Sequence, residues 1–108
     1  MSAYVVVDYT VKDPDVYREH YAPIAGQTAK EHGGEVMAAG NWNVLHGDGS
    51  LGSGVVVRFT DRETALGWYF SPEYQQLIDV RGVAMDVRFR LLDGLPLLTA
   101  AANEAESE

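Results

Sequence analysis

The strand predicted from Met85 to Leu92 constrains the fold most, because its side chains alternate between apolar and charged as far as Leu91. The apolar members are Met85, Val87, Phe89 and Leu91, and the charged members are Asp86, Arg88 and Arg90. Successive side chains of a strand point to opposite faces of its sheet. The pattern therefore predicts a sheet with one face on a hydrophobic core and a second face that carries charge.

Three more regions have the β-branched and aromatic composition of strands. Ala3–Thr10 and Gly54–Thr60 are continuous. Residues 35–40 and 43–46 predict either a short strand pair or one bent strand, interrupted at residues 40–42. The glycine-rich stretch 47–54 that follows is typical of a flexible loop.

Two regions carry signals for helix starts. Residues 13–32 begin with Asp-Pro and end at the pair Gly33-Gly34, which favours a left-handed stop. Pro23 lies inside this region and lacks an N–H donor, so we expect a kink or break near residues 19–21. The second region predicts one helix over 61–69 and another that Ser-Pro-Glu opens at 71–73 and that runs to about Arg81.

The order strand, helix, strand, strand, helix, strand predicts an α+β, ferredoxin-like fold, a split βαβ arrangement with an antiparallel sheet. We expect the helices to cover the face that carries Val5, Val7, Tyr9, Val55, Val57, Phe59, Met85, Val87, Phe89 and Leu91. The opposite face carries Tyr4, Val6, Asp8, Val56, Arg58, Asp86, Arg88 and Arg90. It is too apolar for a fully solvated surface and too charged for a dry core. We expect two copies to pack these faces together as a dimeric α+β barrel around a polar cavity; the alternative is a monomer whose open face is solvated.

Length and charge limit the domain organisation and the partners. The 108 residues suffice for one domain, expected over residues 1–98, followed by a small, acidic, flexible tail at 99–108. The net charge of −8 argues against nucleic acid and against an anionic membrane surface as partners. The absence of cysteine excludes a thiolate nucleophile and cysteine zinc motifs. Without a leader-like or membrane-spanning apolar run, the default expectation is a cytoplasmic protein.

Five stretches resemble the domain-of-unknown-function 1330 family of the dimeric α+β barrel superfamily. They are AYVVVDYTVKDPDVYREHYAP at 3–23, EHGGEVMAAGN at 31–41, VLHGD at 44–48, VVVRFTDRETALGWY at 55–69 and WYFSPEYQQLIDVRGVA at 68–84. The resemblance implies ferredoxin-like protomers paired through their sheets, with a ligand pocket between sheet and helices or within the barrel. The superfamily includes cofactor-free monooxygenases, polyketide cyclases, muconolactone isomerases and haem-degrading enzymes, so the resemblance implies no single reaction.

Two positions that match the family's recurrent pattern are candidate site residues. Tyr74 is a candidate proton donor, with a core tyrosine as the alternative. Arg81 is a candidate for binding a carboxylate or enolate through its planar guanidinium. An ion pair with Asp79, Asp86 or a partner subunit is the alternative for Arg81.

Positions where the chain departs from the family's usual pattern are a second source of candidates. They are His32, Asn41, Trp42, His46 and Arg58. Imidazole and guanidinium in place of carboxylates would suit a pocket to an anionic or enolisable substrate.

An imidazole with several phenols and indoles is the chemical combination that the composition offers. His46 and His32 are candidate catalytic groups, because imidazole exchanges protons near neutral pH. Four phenols are candidates for binding or orienting a substrate or for donating a proton: Tyr17, Tyr21, Tyr69 and Tyr74. Trp42, Trp68 and Phe70 are candidates for lining an aromatic slot. Aromatic residues at helical spacing also fit a core. We expect no metal site, since His20 and His32 would lie about 18 Å apart along a straight helix. We also expect no cofactor.

Three hypotheses of function stay open. The first is a homodimer that binds a small hydrophobic or anionic molecule and acts as a cofactor-independent cyclase, isomerase or monooxygenase. Its substrate would be a hydrophobic enol, an aromatic or a polyketide-like compound, converted by His-assisted proton transfer. The second is a noncatalytic ligand-binding or accessory dimerisation module. The third is a structural dimer without a pocket.

Overall fold

The computed structural model of the chain describes residues 1–95. Its four strands are β1 (Ala3–Val11), β2 (Glu35–Asn41), β3 (Ser53–Phe59) and β4 (Met85–Asp93). They form one antiparallel sheet in the order β2-β3-β1-β4, with helical segments between β1 and β2 and between β3 and β4. This is the predicted α+β, ferredoxin-like fold. The predicted domain end at residue 98 and the predicted tail at 99–108 lie outside the described residues.

The first helical region contains a change of helix type near the predicted kink. It consists of α1 (Pro14–Val16), a π-helical turn (Tyr17–Tyr21) and α2 (Ala22–Glu31). The N–H of Ala22 donates to the carbonyl of Tyr17, five residues earlier. Pro23 lies in the first turn of α2, where its missing N–H costs no internal hydrogen bond. The predicted interruption is therefore confirmed, as a π-turn that overlaps residues 19–21.

The glycine pair after α2 is required for two different reasons. Gly33 has a φ of 80°, a backbone conformation that favours glycine. Gly34 is needed for close approach, because a Cβ there would lie 2.8 Å from the Ala29 carbonyl oxygen and 2.9 Å from the Phe59 ring. The predicted helix stop is confirmed.

The second helical region contains three short helices, where two were predicted. α3 (Arg62–Tyr69) begins after Asp61, whose carboxylate accepts the Thr64 N–H at 2.8 Å, as its capping role predicts. The single helix predicted over 71–81 is wrong: α4 (Pro72–Gln75) and α5 (Ile78–Ala84) are separate. The Leu77 N–H bonds the Tyr74 carbonyl only three residues earlier, and this tight turn separates the two helices. Tyr74 and Leu77 are both buried in the core.

The strand predicted at 43–46 is also wrong. The chain leaves the sheet after Asn41, and the Trp42 N–H donates to the Gly52 carbonyl at 2.9 Å. This bond closes a loop over residues 42–52. The Trp42 indole packs directly over Gly54, where a side chain would collide with it.

Strand register confirms the two predicted faces of the sheet. Val5 lies between Val57 on β3 and Leu91 on β4, facing the helices. Asp8 lies opposite Arg88 on the other face. The core is on the helix face, where Phe59 and Tyr74 are the largest fully buried side chains. No helix within residues 1–95 covers the opposite face, which is called the open face below.

Candidate functional site

A cavity of about 280 Å³ lies between the helix face of the sheet and the first helical region. Small side chains of α2 and β2, including Ala25, Gly26 and Ala39, leave the space that it occupies. Its aromatic walls are Tyr9, Tyr17, Tyr21, Trp68 and Phe89. None of its lining residues within 1–95 is acidic, basic or a histidine. We call it the aromatic cavity.

The π-helical turn supplies two of the cavity's phenols. Tyr17 stacks on Tyr9 with ring centroids 5.9 Å apart, and it also contacts the Tyr21 ring at 6.1 Å. Burial, reinforced by the neighbouring Tyr9, raises the pKa of Tyr17 to about 12. Tyr17 is therefore a neutral phenol at physiological pH, able to donate a hydrogen bond and unable to act as a base.

A network of hydroxyl groups anchored on an arginine adjoins the cavity. The hydroxyl oxygens of Tyr21 and Tyr74 are 2.6 Å apart, although 53 residues separate them in sequence. Arg81 Nη1 donates to Tyr74 Oη at 3.0 Å and to Tyr69 Oη at 3.1 Å. The guanidinium also lies 4.9 Å from the centre of the Phe89 ring, a cation–π contact.

Burial controls the protonation of this network. It raises the pKa of Tyr21, and the neighbouring Tyr74 raises it further. Burial also raises the pKa of Tyr74, although its hydrogen bonds with Tyr21 and Arg81 act in the opposite direction. Burial lowers the pKa of Arg81, but the hydrogen bonds to Tyr74 and Tyr69 outweigh this effect and the pKa is raised overall. Within the network, Tyr21 and Tyr74 are thus neutral phenols beside a charged guanidinium.

Trp68 joins the cavity wall to the core. Its Nε1–H donates to Thr28 Oγ1 at 3.0 Å, and Thr28 in turn donates to the Ala25 carbonyl at 2.8 Å. The indole stacks on Phe59 with ring centroids 5.4 Å apart. These contacts fix the orientation of the indole, so the wall of the cavity is built before a ligand arrives.

A second, more polar cavity of about 400 Å³ lies on the open face beneath the loop 42–52. Trp42, His46 and Asp48 of the loop line it, together with Arg88 and Arg90 of β4. The backbone N–H and hydroxyl of Ser50 bond the Asp48 carboxylate and lower its pKa. We call it the loop cavity.

Asp8 neutralises part of the charge in the loop cavity. Its carboxylate, which is 6% exposed, accepts from Arg88 Nη2 at 2.5 Å and from Arg90 Nη2 at 2.7 Å. Both arginine side chains remain more than half exposed. The arginines are therefore held by a group of the same protomer while their outer surfaces stay accessible.

The structure distributes the candidate site residues among several places. Tyr17 lines the aromatic cavity, while Tyr69, Tyr74 and Arg81 form the adjoining network. Trp42 and His46 line the loop cavity.

The other three candidates lie apart from both cavities. Asn41 Oδ1 accepts from the Ser53 hydroxyl at 2.9 Å. Arg58, on the open face, donates to Ser2 Oγ at 3.0 Å and lies 3.6 Å from Glu35. His32 Nε2 lies 3.9 Å from the Glu73 carboxylate at the end of α2.

The alternative for Arg81, an ion pair with Asp79 or Asp86, does not form within the described residues, where the hydrogen-bond partners of Arg81 are phenols.

Sequence reasoning counted Tyr21 among the phenols available to orient a substrate or donate a proton, but it did not single out Tyr9 or Phe89 as members of one site. Alternation assigned Tyr9 and Phe89 to the helix face, and helical spacing assigned Tyr21 to the same side as Tyr17. Those signals identify a core position but not a cavity within the core, because small residues on other elements create the space.

No group of three or more histidine or acidic residues within 1–95 has the geometry to hold a metal ion. No helix in the same range is both long enough and apolar enough to span a bilayer.

Comparison with known sequence families identifies the family of this chain. Residues 2–95 match the family described as a domain of unknown function, DUF1330. The chain belongs to this family. No curated protein matches the sequence.

Solved structures with the same fold are distant in sequence. RPA0582 from Rhodopseudomonas palustris, a protein of unknown function, has a TM-score of 0.71 at 15% identity over 89% of this chain and 84% of its own. HapK from Hahella chejuensis has a TM-score of 0.58 at 14% identity over 91% and 95%. SnoaB from Streptomyces nogalater, described as a cofactor-independent oxygenase, has a TM-score of 0.54 at 13% identity over 90% and 96%. At these identities the similarity shows a shared fold.

Proposed function

We propose that this DUF1330 protein binds a small, flat, hydrophobic molecule that carries oxygen, in the aromatic cavity. The observation that carries the proposal is an apolar space of about 280 Å³ with phenol groups on its wall and no charged side chain among its lining residues within 1–95. An apolar pocket with a few polar groups is the usual design of a small-molecule site. Aromatic walls favour a flat ligand, since they offer faces and edges for stacking.

The ligand chemistry follows from the protonation of the walls. Tyr17, whose pKa is raised to about 12, and Tyr21, whose pKa is also raised, stay protonated and offer hydrogen bonds to a carbonyl, enol or phenol oxygen. An uncharged or weakly acidic enol, aromatic or polyketide-like compound fits this environment better than a strongly charged one.

Catalysis without a cofactor is the reaction-level part of the proposal. SnoaB, which shares the fold, is described as a cofactor-independent oxygenase. In this chain the phenols would hold the substrate oxygen, and a substrate that loses its proton readily would need no strong base. His46 lines the loop cavity on the opposite face of the sheet, so it does not reach a substrate in the aromatic cavity, whose proton would pass to water. His-assisted proton transfer would require a substrate in the loop cavity.

We further propose that the protein is a homodimer paired through its open faces. Val6 and Val56 are only partly buried on this face, and Arg88 and Arg90 keep more than half of their side-chain surfaces accessible. A second copy would cover the apolar part and enclose the loop cavity. In the noncatalytic alternative, the same dimer binds the ligand but does not convert it.

Binding can be tested through the two tryptophans, which lie at different sites. Trp42→Phe leaves Trp68, on the wall of the aromatic cavity, as the only tryptophan. We expect quenching of its fluorescence by 1-indanone and by other flat bicyclic ketones. Turnover of the bound compounds in aerobic buffer without added cofactor would support an enzyme, and binding without conversion would support the accessory module.

Adjacent residues of β2 supply a matched pair of variants. Ala39 lines the aromatic cavity, whereas Ala38 pairs with Val56 on the open face. We expect Ala39→Leu to fill the cavity and to raise the Kd at least tenfold, while Ala38→Leu leaves it unchanged. Equal Kd values for the Ala39→Leu and Ala38→Leu variants would contradict binding in this cavity. The absence of Trp68 quenching in the Trp42→Phe protein without these substitutions would also contradict it.

A further inference from the structure

The hydrogen-bond donors of the phenol network can be assigned by counting protons. Each amino group of a guanidinium has two protons and accepts no hydrogen bond. Arg81 Nη1 therefore donates both protons, one to Tyr69 Oη and one to Tyr74 Oη. The Tyr74 oxygen acts as an acceptor toward Arg81, and its own proton must be used elsewhere.

The partner of that proton is Tyr21. Tyr74 is fully buried, and within residues 1–95 its hydroxyl has no partner besides Tyr21 and Arg81. If Tyr21 donated in the 2.6 Å contact, the buried Tyr74 proton would lack an acceptor. Both hydroxyls are buried, and buried polar groups are nearly always hydrogen-bonded, but only Tyr21 lines the aromatic cavity, where a ligand can accept its proton. The arrangement that leaves no proton stranded therefore has Tyr74 donating and Tyr21 accepting. The proton of Tyr21, which lines the aromatic cavity, is left over for a ligand.

We propose that Arg81, acting through Tyr74, fixes Tyr21 as a hydrogen-bond donor to the ligand, so that the cavity selects molecules with an acceptor oxygen. This inference rests on the proposed function and specifies its ligand as a ketone, enolate or phenolate. Tyr21 is the binding residue, and Arg81 and Tyr74 are positioning residues. Arg81 thus recognises the ligand's oxygen indirectly, without the direct guanidinium contact expected from sequence.

The surroundings of Arg81 strengthen its effect on the chain of hydroxyls. The guanidinium lies 4.9 Å from the ring centre of Phe89 and 5.8 Å from those of Tyr69 and Tyr74. These rings shield one side of the partly buried cation from water, and hydrogen bonds in a low-dielectric environment polarise one another. A positive charge at one end makes the Tyr21 proton a stronger donor at the other end, which favours an oxygen that carries negative charge.

A pair of probes tests the selection. 1-Indanone and indane have the same bicyclic frame, but only the ketone accepts a hydrogen bond. We expect the wild-type protein to bind 1-indanone about five- to tenfold more tightly, the effect of one net hydrogen bond. Infrared difference spectra of the bound ketone should show its carbonyl stretch at lower frequency than in an apolar solvent.

Four variants separate positioning from structure. Tyr21→Phe removes the hydrogen-bond donor while retaining the ring. It should reduce the preference for 1-indanone over indane to about onefold and abolish the shift of the carbonyl stretch. Arg81→Met should reduce the carbonyl shift, and Arg81→Lys, which keeps the charge, should restore part of it. Tyr69→Phe is the control, because Tyr69 contacts Arg81 but lies off the chain to Tyr21. Unchanged indane affinity shows that each variant keeps the cavity.

The outcomes distinguish this inference from the proposed function. If wild-type protein binds both probes equally with no carbonyl shift, the cavity binds ligands but Tyr21 does not select them, and the inference fails alone. A full preference in Tyr21→Phe, or an unchanged shift in Arg81→Met, also overturns it. If neither probe binds, the proposed function fails and the inference fails with it.

Discussion

The two faces of the sheet differ in how they satisfy their polar groups. On the helix face, the hydroxyls of Tyr21, Tyr74 and Tyr69 meet Arg81 inside an aromatic environment. On the open face, Asp8 binds Arg88 and Arg90, whose outer surfaces remain accessible. Charge is thus partly covered by rings on one face and shared at an accessible surface on the other. This difference supports the proposals of an internal ligand on the helix face and of association through the open face.

The largest expected effect contrasts the two faces within β3. Phe59 is fully buried on the helix face and stacks on Trp68, whereas Val56 is partly buried on the open face. Phe59→Ala should lower the free energy of unfolding by about 3–5 kcal/mol. Val56→Ala should cost less than about 1 kcal/mol. Urea denaturation measures both, and equal costs would mean that the open face is packed as tightly as the core.

The second prediction concerns the charge cluster on the open face. Asp8→Asn removes the acceptor charge that Arg88 and Arg90 share, and we expect a loss of about 1–3 kcal/mol from the free energy of unfolding. Asp86→Asn is the control, because Asp86 lies on the same face in an exposed pair with Lys12 at 3.5 Å. Its cost should be below about 0.5 kcal/mol. Similar costs for the two variants in thermal melts would show that the buried carboxylate has no special role.

The third prediction tests the proposed association. Arg88→Glu combined with Arg90→Glu places like charge beside Asp8 and should weaken self-association at least tenfold, about 1.4 kcal/mol. Native mass spectrometry would report dimer and monomer. Arg18→Glu with Arg62→Glu is the control, since these arginines belong to exposed pairs on helical segments. A dimer that survives the β4 variant, with circular dichroism showing both variants folded, would exclude this interface.

The smallest expected effect is a dependence on alkaline pH. Tyr17 has an ordinary pKa of 10.0 that folding raises to about 12, and the pKa values of Tyr21 and Tyr74 are also raised. The unfolded chain therefore loses these protons at lower pH than the folded protein does. The stabilisation is complete below pH 10 and is lost as the pH rises from 10 toward 12. Tyr17→Phe should flatten this part of the profile in urea denaturation, and an equally steep profile would contradict the assignment.

The fold could be predicted from sequence because its signals are local. Alternation gave both faces of β4, and the Asp-Pro, Asp61 and Ser71 signals gave the helix starts. The errors occurred where tertiary contacts override those signals. The 71–81 helix is interrupted by a tight turn at Leu77, next to Tyr74, whose hydroxyl is held by Tyr21. Residues 43–46 leave the sheet because Trp42 closes a loop with Gly52.

The candidate site could be predicted only in part. The sequence drew attention to Tyr17, Tyr69, Tyr74 and Arg81, which the fold brings around one cavity. It also combined them with His46 and Trp42, which lie at the loop cavity. No periodic signal distinguishes the two groups, since the loop's path over the sheet depends on tertiary contacts. These are the Trp42–Gly52 hydrogen bond, the hydrogen bonds of Thr10 with Ser50 and Gly52, and the packing of the Trp42 indole over Gly54.

By itself, the sequence determined the order of the elements, the two-faced character of the sheet and the residues available for chemistry, because periodicity and capping act over a few neighbouring residues. The tertiary structure decided which of those residues meet. The contact of Tyr21 with Tyr74 spans 53 residues, and the aromatic cavity exists because alanine and glycine on separate elements leave space beside it. Contacts between residues so far apart in sequence, and the space beside them, depend on how several side chains pack together in three dimensions. No local pattern encodes that packing.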